Sequence, residues 1–402
     1  MILQKTIEEV LSDQSPPPAL KPEVRRTVLA DLGRMGRNAV VLKGVRRCGK
    51  SILQAQLMRE QPHRVYCNLE DTRLYGMNAG DFPALLAALE RAASGTATVF
   101  LDEVQAVDGW EKLVRALLDR GHKVCVTGSN ASLLGRDVGI KLTGRHSSHE
   151  VFPFDYGEYL AFTSGEPGVD TLQAYLDQGG FPLYLGERQS DWLRDLLRDI
   201  IERDIAQRHG LRETRHLMNL ALFLLAHTGQ PFSLQTLTKT VAIPSVSQTT
   251  RYIDYLADAY LLLPIDKFHH SFKKRIVTPK KYYAVDNGLR QANTPQSAPD
   301  LGRRLENEVF LALRRCGLQP GYDGEKDGWE CDFVTRDTAI QVCARLTPEN
   351  SERETGGLLR AIAGNRKRLR ALILTLDQRE NRVIDGVSVD IFPAWEWLCE
   401  RG

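Results

Sequence analysis

The eight residues Gly44-Val45-Arg46-Arg47-Cys48-Gly49-Lys50-Ser51 fit the pattern G-x-x-x-x-G-K-[ST] at every defined position, and they constrain the fold more than anything else in the chain. The apolar run NAVVLKG (38–44) leads into them and the helical stretch SILQAQLMRE follows. That is the strand–loop–helix context the pattern requires, and a glycine-rich turn matching by chance would lack it. The glycines let the backbone wrap a polyphosphate, while loop N–H groups and the helix N-terminus supply partial positive charge. Lys50 is expected to reach the β- and γ-phosphates, and the Ser51 hydroxyl to bind Mg²⁺. The expected nucleotide contacts are therefore Gly44, Arg46, Arg47, Cys48, Gly49, Lys50, Ser51 and Ile52. Arg46 and Arg47 are expected at the nucleotide rim or a subunit interface.

Short β-rich runs continue at HRVYCNLE (63–70), TVFLDE (98–103) and KVCVTGS (123–129), separated by helical stretches. Strands alternating with helices predict an α/β core with a parallel sheet covered on both faces. Val99-Phe100-Leu101-Asp102-Glu103 reads as a buried strand carrying two acids at its carboxyl end, beside the phosphate loop. Asp102 is then the residue that holds the metal through water, and Glu103 the one that orients the attacking water. The competing reading makes the pair an ordinary helix N-cap. At the end of the next strand, Asn130 is placed to bond the γ-phosphate or the lytic water, or else to cap the helix ASLL. Arg145, in Leu142-Thr143-Gly144-Arg145, is placed to neutralise transition-state charge across a subunit boundary, or else is a plain surface arginine.

The 402 residues are too many for one compact core and suit two or three domains. With 42% hydrophobic and 26% charged residues, the composition is that of a globular protein and not of a disordered one. The net charge of +2 means that any basic surface must be local. Seven scattered cysteines without a CxxC pair indicate reduced thiols and no zinc site. The first residues, MILQKTIEEVLSDQ, lack the apolar core of a signal peptide, and no run approaches a membrane span. These features predict a cytoplasmic chain. Residues 1–37 read as one or two helices broken by Ser15-Pro16-Pro17-Pro18, packed on the core.

A break at Gly179-Gly180-Phe181-Pro182 is followed by helices over 190–227, with Trp192, Leu196, Ile200 and Ile205 near one face. Residues 231–265 show helix, turn, helix and strand in the order of a winged helix. Gln248 and Arg251 then lie at the start of a recognition helix. Between Lys267 and Lys281 the chain carries Lys273, Lys274, Arg275, Lys280 and Lys281 with Phe268, Phe272, Tyr282 and Tyr283 interleaved. Such a cluster suggests contacts to DNA phosphates, or alternatively a basic strand edge that blocks aggregation. A third module follows: strand YYAVD (282–286), helix RRLENEVFLALRRCG (303–317) and strands WECDFVT (329–335) and AIQVC (339–343).

The segments GVRRCGKS, VFLDEVQAVDGWEKLV, VTGSNASLL, LTGRHSSHEVFPFDYGEYL, DQGGFP and DIIERDI resemble the AAA-type ATPases that carry a C-terminal DUF4143 domain. The resemblance covers essentially the whole chain. It implies an AAA+ core with N-terminal helices and lid over 1–215, a winged helix over 216–270, and a restriction-endonuclease-like α/β domain of the PD-(D/E)xK type over 271–402. Lys50 and Ser51 would be the Walker A pair, Asp102 and Glu103 the Walker B pair, Asn130 the sensor and Arg145 the finger. A ring of six subunits follows from the same likeness. The nuclease site would draw on Glu306 or Glu308, Asp332 and Gln341, with Cys343 where a lysine belongs. A cysteine supplies no fixed positive charge and aids a hard-metal site poorly, so an inactive, degenerate site is expected. The leading expectation is an oligomeric ATPase that uses ATP and Mg²⁺ to remodel or translocate DNA, including branched DNA. The alternatives are a regulatory NTPase switch acting on protein partners and an ATP-dependent nuclease.

Overall fold

The structure, a computed structural model, describes all residues except 1, 33–35, 130–141, 143, 190, 269–277, 296–299, 326–327, 366–368 and 402. The chain divides into two compact units, Met1–Phe152 with Asp258–Tyr260, and Pro153–Ala257 with Leu261–Gly402. Helices between Tyr156 and Gln207, expected with the ATPase core, thus cluster with the second unit.

In the first unit five parallel strands, β1 (Ala39–Lys43), β2 (Arg64–Asn68), β3 (Thr98–Asp102), β4 (Lys123–Gly128) and β5 (His146–Glu150), are ordered β2-β3-β4-β1-β5. Val40, Val41 and Leu42 of β1 and all five residues of β3 are buried, as a strand covered on both faces requires. The loop carrying the phosphate motif leaves the carboxyl end of β1 and enters the helix Lys50–Arg59. Two backbone constraints explain its glycines. A Cβ on Gly44 would lie 2.0 Å from the Val151 carbonyl oxygen, and Gly49 turns into the helix with φ of +101°. Ahead of the sheet, the helix Gln4–Asp13 buries Ile7 and Val10 completely against the helix Phe82–Ala93, each worth about 1.5–3 kcal/mol of apolar burial.

The second unit opens with helices that include Tyr156–Thr163, Val169–Gln178, Trp192–Asp199 and Arg215–Ala226. On the face expected inside, Leu196, Ile200 and Ile205 are buried. Next come β6 (Pro231–Phe232), the helices Leu234–Thr240 and Val246–Asp258, β7 (Leu262–Ile265) and β8 (Lys280–Ala284), with strand order β6-β8-β7. The helix Leu301–Arg315 precedes β9 (Gly321–Gly324), β10 (Glu330–Val334) and β11 (Thr338–Val342). The helix Pro348–Ala363 then leads to β12 (Arg370–Thr375), β13 (Glu380–Ile384) and β14 (Val387–Pro393). These six strands are ordered β13-β14-β12-β11-β10-β9, antiparallel from β9 to β11 and parallel from β11 through β12 to β14. The glycine pair at 179–180 is a point of close approach: a Cβ on Gly180 would lie 2.2 Å from the Phe154 carbonyl oxygen. The Gly180 N–H donates to the buried Asp286 carboxylate at 2.7 Å. Among the described residues no helix is long and apolar enough to cross a membrane, and all seven cysteines are free thiols.

Candidate functional site

The carboxyl ends of β1, β3 and β4 bring Lys50, Ser51, Asp102, Glu103 and Thr127 together. The Lys50 ammonium donates to the carbonyls of Gly44 at 3.0 Å and Val45 at 2.9 Å, inside the loop it belongs to. The Ser51 hydroxyl donates to Asp102 at 3.1 Å. Asp102 also accepts from the Tyr66 hydroxyl at 2.9 Å and from Thr127. Glu103 adopts the left-handed conformation, φ 52°, an uncommon one for a residue with a side chain. Its N–H donates to the Thr127 hydroxyl at 3.0 Å, and its carboxylate accepts from the Gln105 amide. Burial pushes the Glu103 carboxyl up, Lys50 opposes this, and Asp102 and Glu70 add to it. A carboxylate so placed is a stronger base than one in water. A cavity of about 360 Å³ beside the acids is lined by Ser51, Tyr66, Asn68, Glu70, Asp102 and Glu103, with Gln14, Ser15 and Pro17 at its N-terminal edge.

The loop is braced from behind by Arg26, which is buried. Its guanidinium donates to the Cys48 carbonyl at 2.9 Å and the Phe152 carbonyl at 2.7 Å. Cys48 points inward, its thiol donating to the Val151 carbonyl at 3.1 Å and raised in pKa by burial. It lines the loop's packing and not its solvent side. Arg46 is partly exposed, Arg47 is exposed with φ of 63°, and Ile52 is half-buried on the first helical turn. Arg145 precedes β5 at the end of the sheet opposite the phosphate loop, with its carbonyl bonded to the Ala39 N–H and its guanidinium ion-paired to Asp119 at 2.7 Å. A five-residue strand spans about 15 Å, so Arg145 does not join the cluster of its own chain. Asn130 lies outside the described residues.

Sequence reasoning singled out Asn130 and passed over Thr127, three residues earlier and on the strand itself. It also missed Tyr66, Gln105 and Arg26. Thr127 had a signal: it ends the strand beside the one carrying the acids, in the stretch VTGS.

The second unit holds a separate polar pocket of about 550 Å³, lined in part by Glu306, Glu330, Asp332, Gln341, Cys343 and Glu354. Glu306 and Glu308 have different fates. Glu306 faces this pocket, whereas Glu308 is buried elsewhere, accepting from Arg315 at 2.6 Å and from the Tyr175 hydroxyl at 2.9 Å. Burial raises the Cys343 thiol to about 12, so it is a neutral thiol. Gln341 donates its amide to Glu354 at 2.8 Å and turns its carbonyl to the Asp332 N–H at 3.3 Å. Burial raises the Asp332 carboxyl well above the usual range.

The expected DNA contacts divide. Lys281 requires correction: it is fully buried and ion-paired with Glu306, Glu330 and Asp332, because on β8 it alternates inward with Tyr283. Tyr282 and Tyr283 are likewise buried and offer no face for stacking. Lys280 points the other way, ion-paired to Asp266 at 3.0 Å. Gln248 donates to the Tyr252 hydroxyl at 2.7 Å, and Arg251 is exposed. Lys273, Lys274 and Arg275 lie outside the described residues.

Residues 36–160 match the model of an AAA domain, and residues 169–300 match a domain of unknown function, DUF8612, where the resemblance had given DUF4143. An uncharacterized protein of Haemophilus influenzae is 30% identical over 88% of this chain and 93% of its own length. One from Methanocaldococcus jannaschii is 29% identical over 89% of this chain and 87% of its own. One from Mycobacterium tuberculosis is 27% identical over 66% of this chain and 58% of its own. With a phosphate loop and its paired acids assembled on a parallel sheet, and a relative alike along most of its length, the chain belongs to this family of AAA-domain P-loop proteins.

Proposed function

We propose that the chain binds and hydrolyses ATP with magnesium at the cluster of Lys50, Ser51, Asp102 and Glu103. The observation that carries this reading is the 3.1 Å contact between Ser51 and Asp102, which joins a hydroxyl from the loop to a carboxylate from β3 at the base of one cavity. These two residues fit a hard cation with oxygen ligands. Magnesium would supply neutralisation of the charge that develops on the transferring phosphoryl group. Lys50 would hold the β- and γ-phosphates, and Glu103, kept in place by Thr127 and Gln105, would orient the attacking water. Lys50→Ala is expected to lose nucleotide binding, while Glu103→Gln binds ATP and fails to turn it over. A Glu103→Gln protein hydrolysing ATP at the wild-type rate would overturn the assignment of the base.

A further proposal is that hydrolysis is coupled to DNA by an oligomeric, cytoplasmic assembly. The order helix, β6, helix, helix, β7, β8 supports a winged helix, with Ser245, Val246, Ser247 and Arg251 exposed where its recognition helix starts. The order helix, β9, β10, β11, helix, β12 supports a nuclease-like fold behind it. ATPase rates with duplex, single-stranded and junction DNA test the coupling. Absence of both stimulation and salt-sensitive binding favours a switch acting on protein partners. Arg145, far from its own site, would act only on a neighbouring subunit. Mixing Arg145→Ala with Glu103→Gln subunits should then restore hydrolysis, and mass in solution with and without ATP reports the ring.

A further inference from the structure

The pocket of the second unit collects three carboxylates, and the chain itself supplies the cation they surround. Lys281 on β8 places its ammonium 3.1 Å from Glu306 Oε1, 2.6 Å from Glu330 Oε1 and 3.6 Å from Asp332 Oδ1. The side chain has no solvent exposure, and the Tyr322 ring covers it with its centroid 5.5 Å away. Further bonds within the chain engage two of these carboxyl groups. The Tyr283 hydroxyl donates to the same Glu306 oxygen at 2.6 Å, and the Val342 N–H donates to Asp332 Oδ2 at 2.8 Å. Gln341, the one neutral candidate ligand, has its carbonyl on the Asp332 N–H and its amide on Glu354.

A divalent metal of the nuclease type does not fit this arrangement. Magnesium needs oxygens at about 2.0–2.1 Å in near-octahedral order. Here Glu306 and Glu330 already face an ammonium at hydrogen-bonding distance, with Asp332 3.6 Å away, and a second cation at that point would meet a buried like charge. Desolvating an ammonium is tolerated only when it is well paired, which the surrounding carboxyl groups, Glu306 and Glu330 closest among them, achieve. We propose that Lys281 is a resident counter-ion occupying the cation position of this pocket, so that the pocket carries no divalent metal and becomes a metal site only when Lys281 is removed. This inference is independent of the ATPase reading.

Mn²⁺ binding to the full-length, nucleotide-free chain, followed by electron paramagnetic resonance, tests it. Wild type and Asp332→Asn should take up the same amount of Mn²⁺. Lys281→Gln should gain one bound Mn²⁺ per chain, and adding Asp332→Asn should abolish that gain. Loss of Mn²⁺ on introducing Asp332→Asn alone would overturn the proposal. So would a Lys281→Gln protein that keeps the wild-type circular dichroism spectrum and gains no Mn²⁺. If Lys281→Gln does not fold, the comparison of wild type with Asp332→Asn decides: equal uptake supports the resident cation, and unequal uptake refutes it.

Discussion

The Thr127 hydroxyl accepts the Glu103 backbone N–H at 3.0 Å while donating to Asp102, so one side chain at the end of β4 fixes both acids where β3 ends. Glu103 adopts its left-handed backbone next to this bond. Thr127→Val keeps the shape and removes the hydroxyl. Hydrolysis is expected to fall up to about 100-fold, the scale of a small misplacement of a catalytic group. Nucleotide affinity should stay unchanged, because Thr127 does not belong to the phosphate loop. A steady-state ATPase assay with an equilibrium binding measurement checks this.

Arg26 holds the phosphate loop to the end of the sheet through the carbonyls of Cys48 and Phe152. Arg26→Ala is expected to destabilise the protein by about 1–3 kcal/mol for each buried carbonyl left unpaired. It should also weaken ATP binding, because the loop loses its support. Denaturant midpoints and nucleotide titration read the two effects separately.

Glu308 and Arg315 form a buried pair in the second unit, with side-chain exposures of 3% and 14%. Arg315→Met leaves the carboxylate without its partner and should cost about 3–5 kcal/mol. Adding Glu308→Met should recover a large part of that loss, because two apolar side chains replace an ion pair better than a lone charge does. A double-mutant cycle in chemical denaturation gives the answer.

Asp286 gives stability a pH dependence. Burial pushes its carboxyl up to about 6, against the N–H groups of Gly180 and Leu289, which lower it. Below about pH 4 the group is protonated both folded and unfolded. As pH rises toward 6 the unfolded chain ionises first, so the folded state loses relative stability, by about 3 kcal/mol in all for a rise of this size. The stability of wild type relative to Asp286→Asn should therefore fall between pH 4 and 7 and level off above. A difference that grows with pH would contradict the assignment.

The expected strands at 38–44, 63–70, 98–103 and 123–129 each appear as β1 to β4, because apolar runs bounded by glycine and charge carry their own signal. The burial of β8 was the chief misreading. Lys267 to Lys281, with its interleaved aromatics, reads as a basic surface, yet Lys281 and Tyr283 face inward and meet on Glu306. A row of cations in sequence says nothing about which of them finds a carboxylate, since alternation along a strand sends neighbours to opposite faces.

The sequence by itself determined that a strand, a glycine loop and a helix follow one another at 38–59, and that two acids close the run at 98–103. Both rest on spacing within a few consecutive residues, where backbone geometry is local. Only the tertiary structure decided that Arg26 braces the loop from 126 positions away at Phe152, that Thr127 orients Glu103, and that Lys281 pairs with Glu306 25 positions on. Those contacts depend on which distant elements pack together, and packing of buried charge is set by the partners it finds, not by its neighbours in the chain.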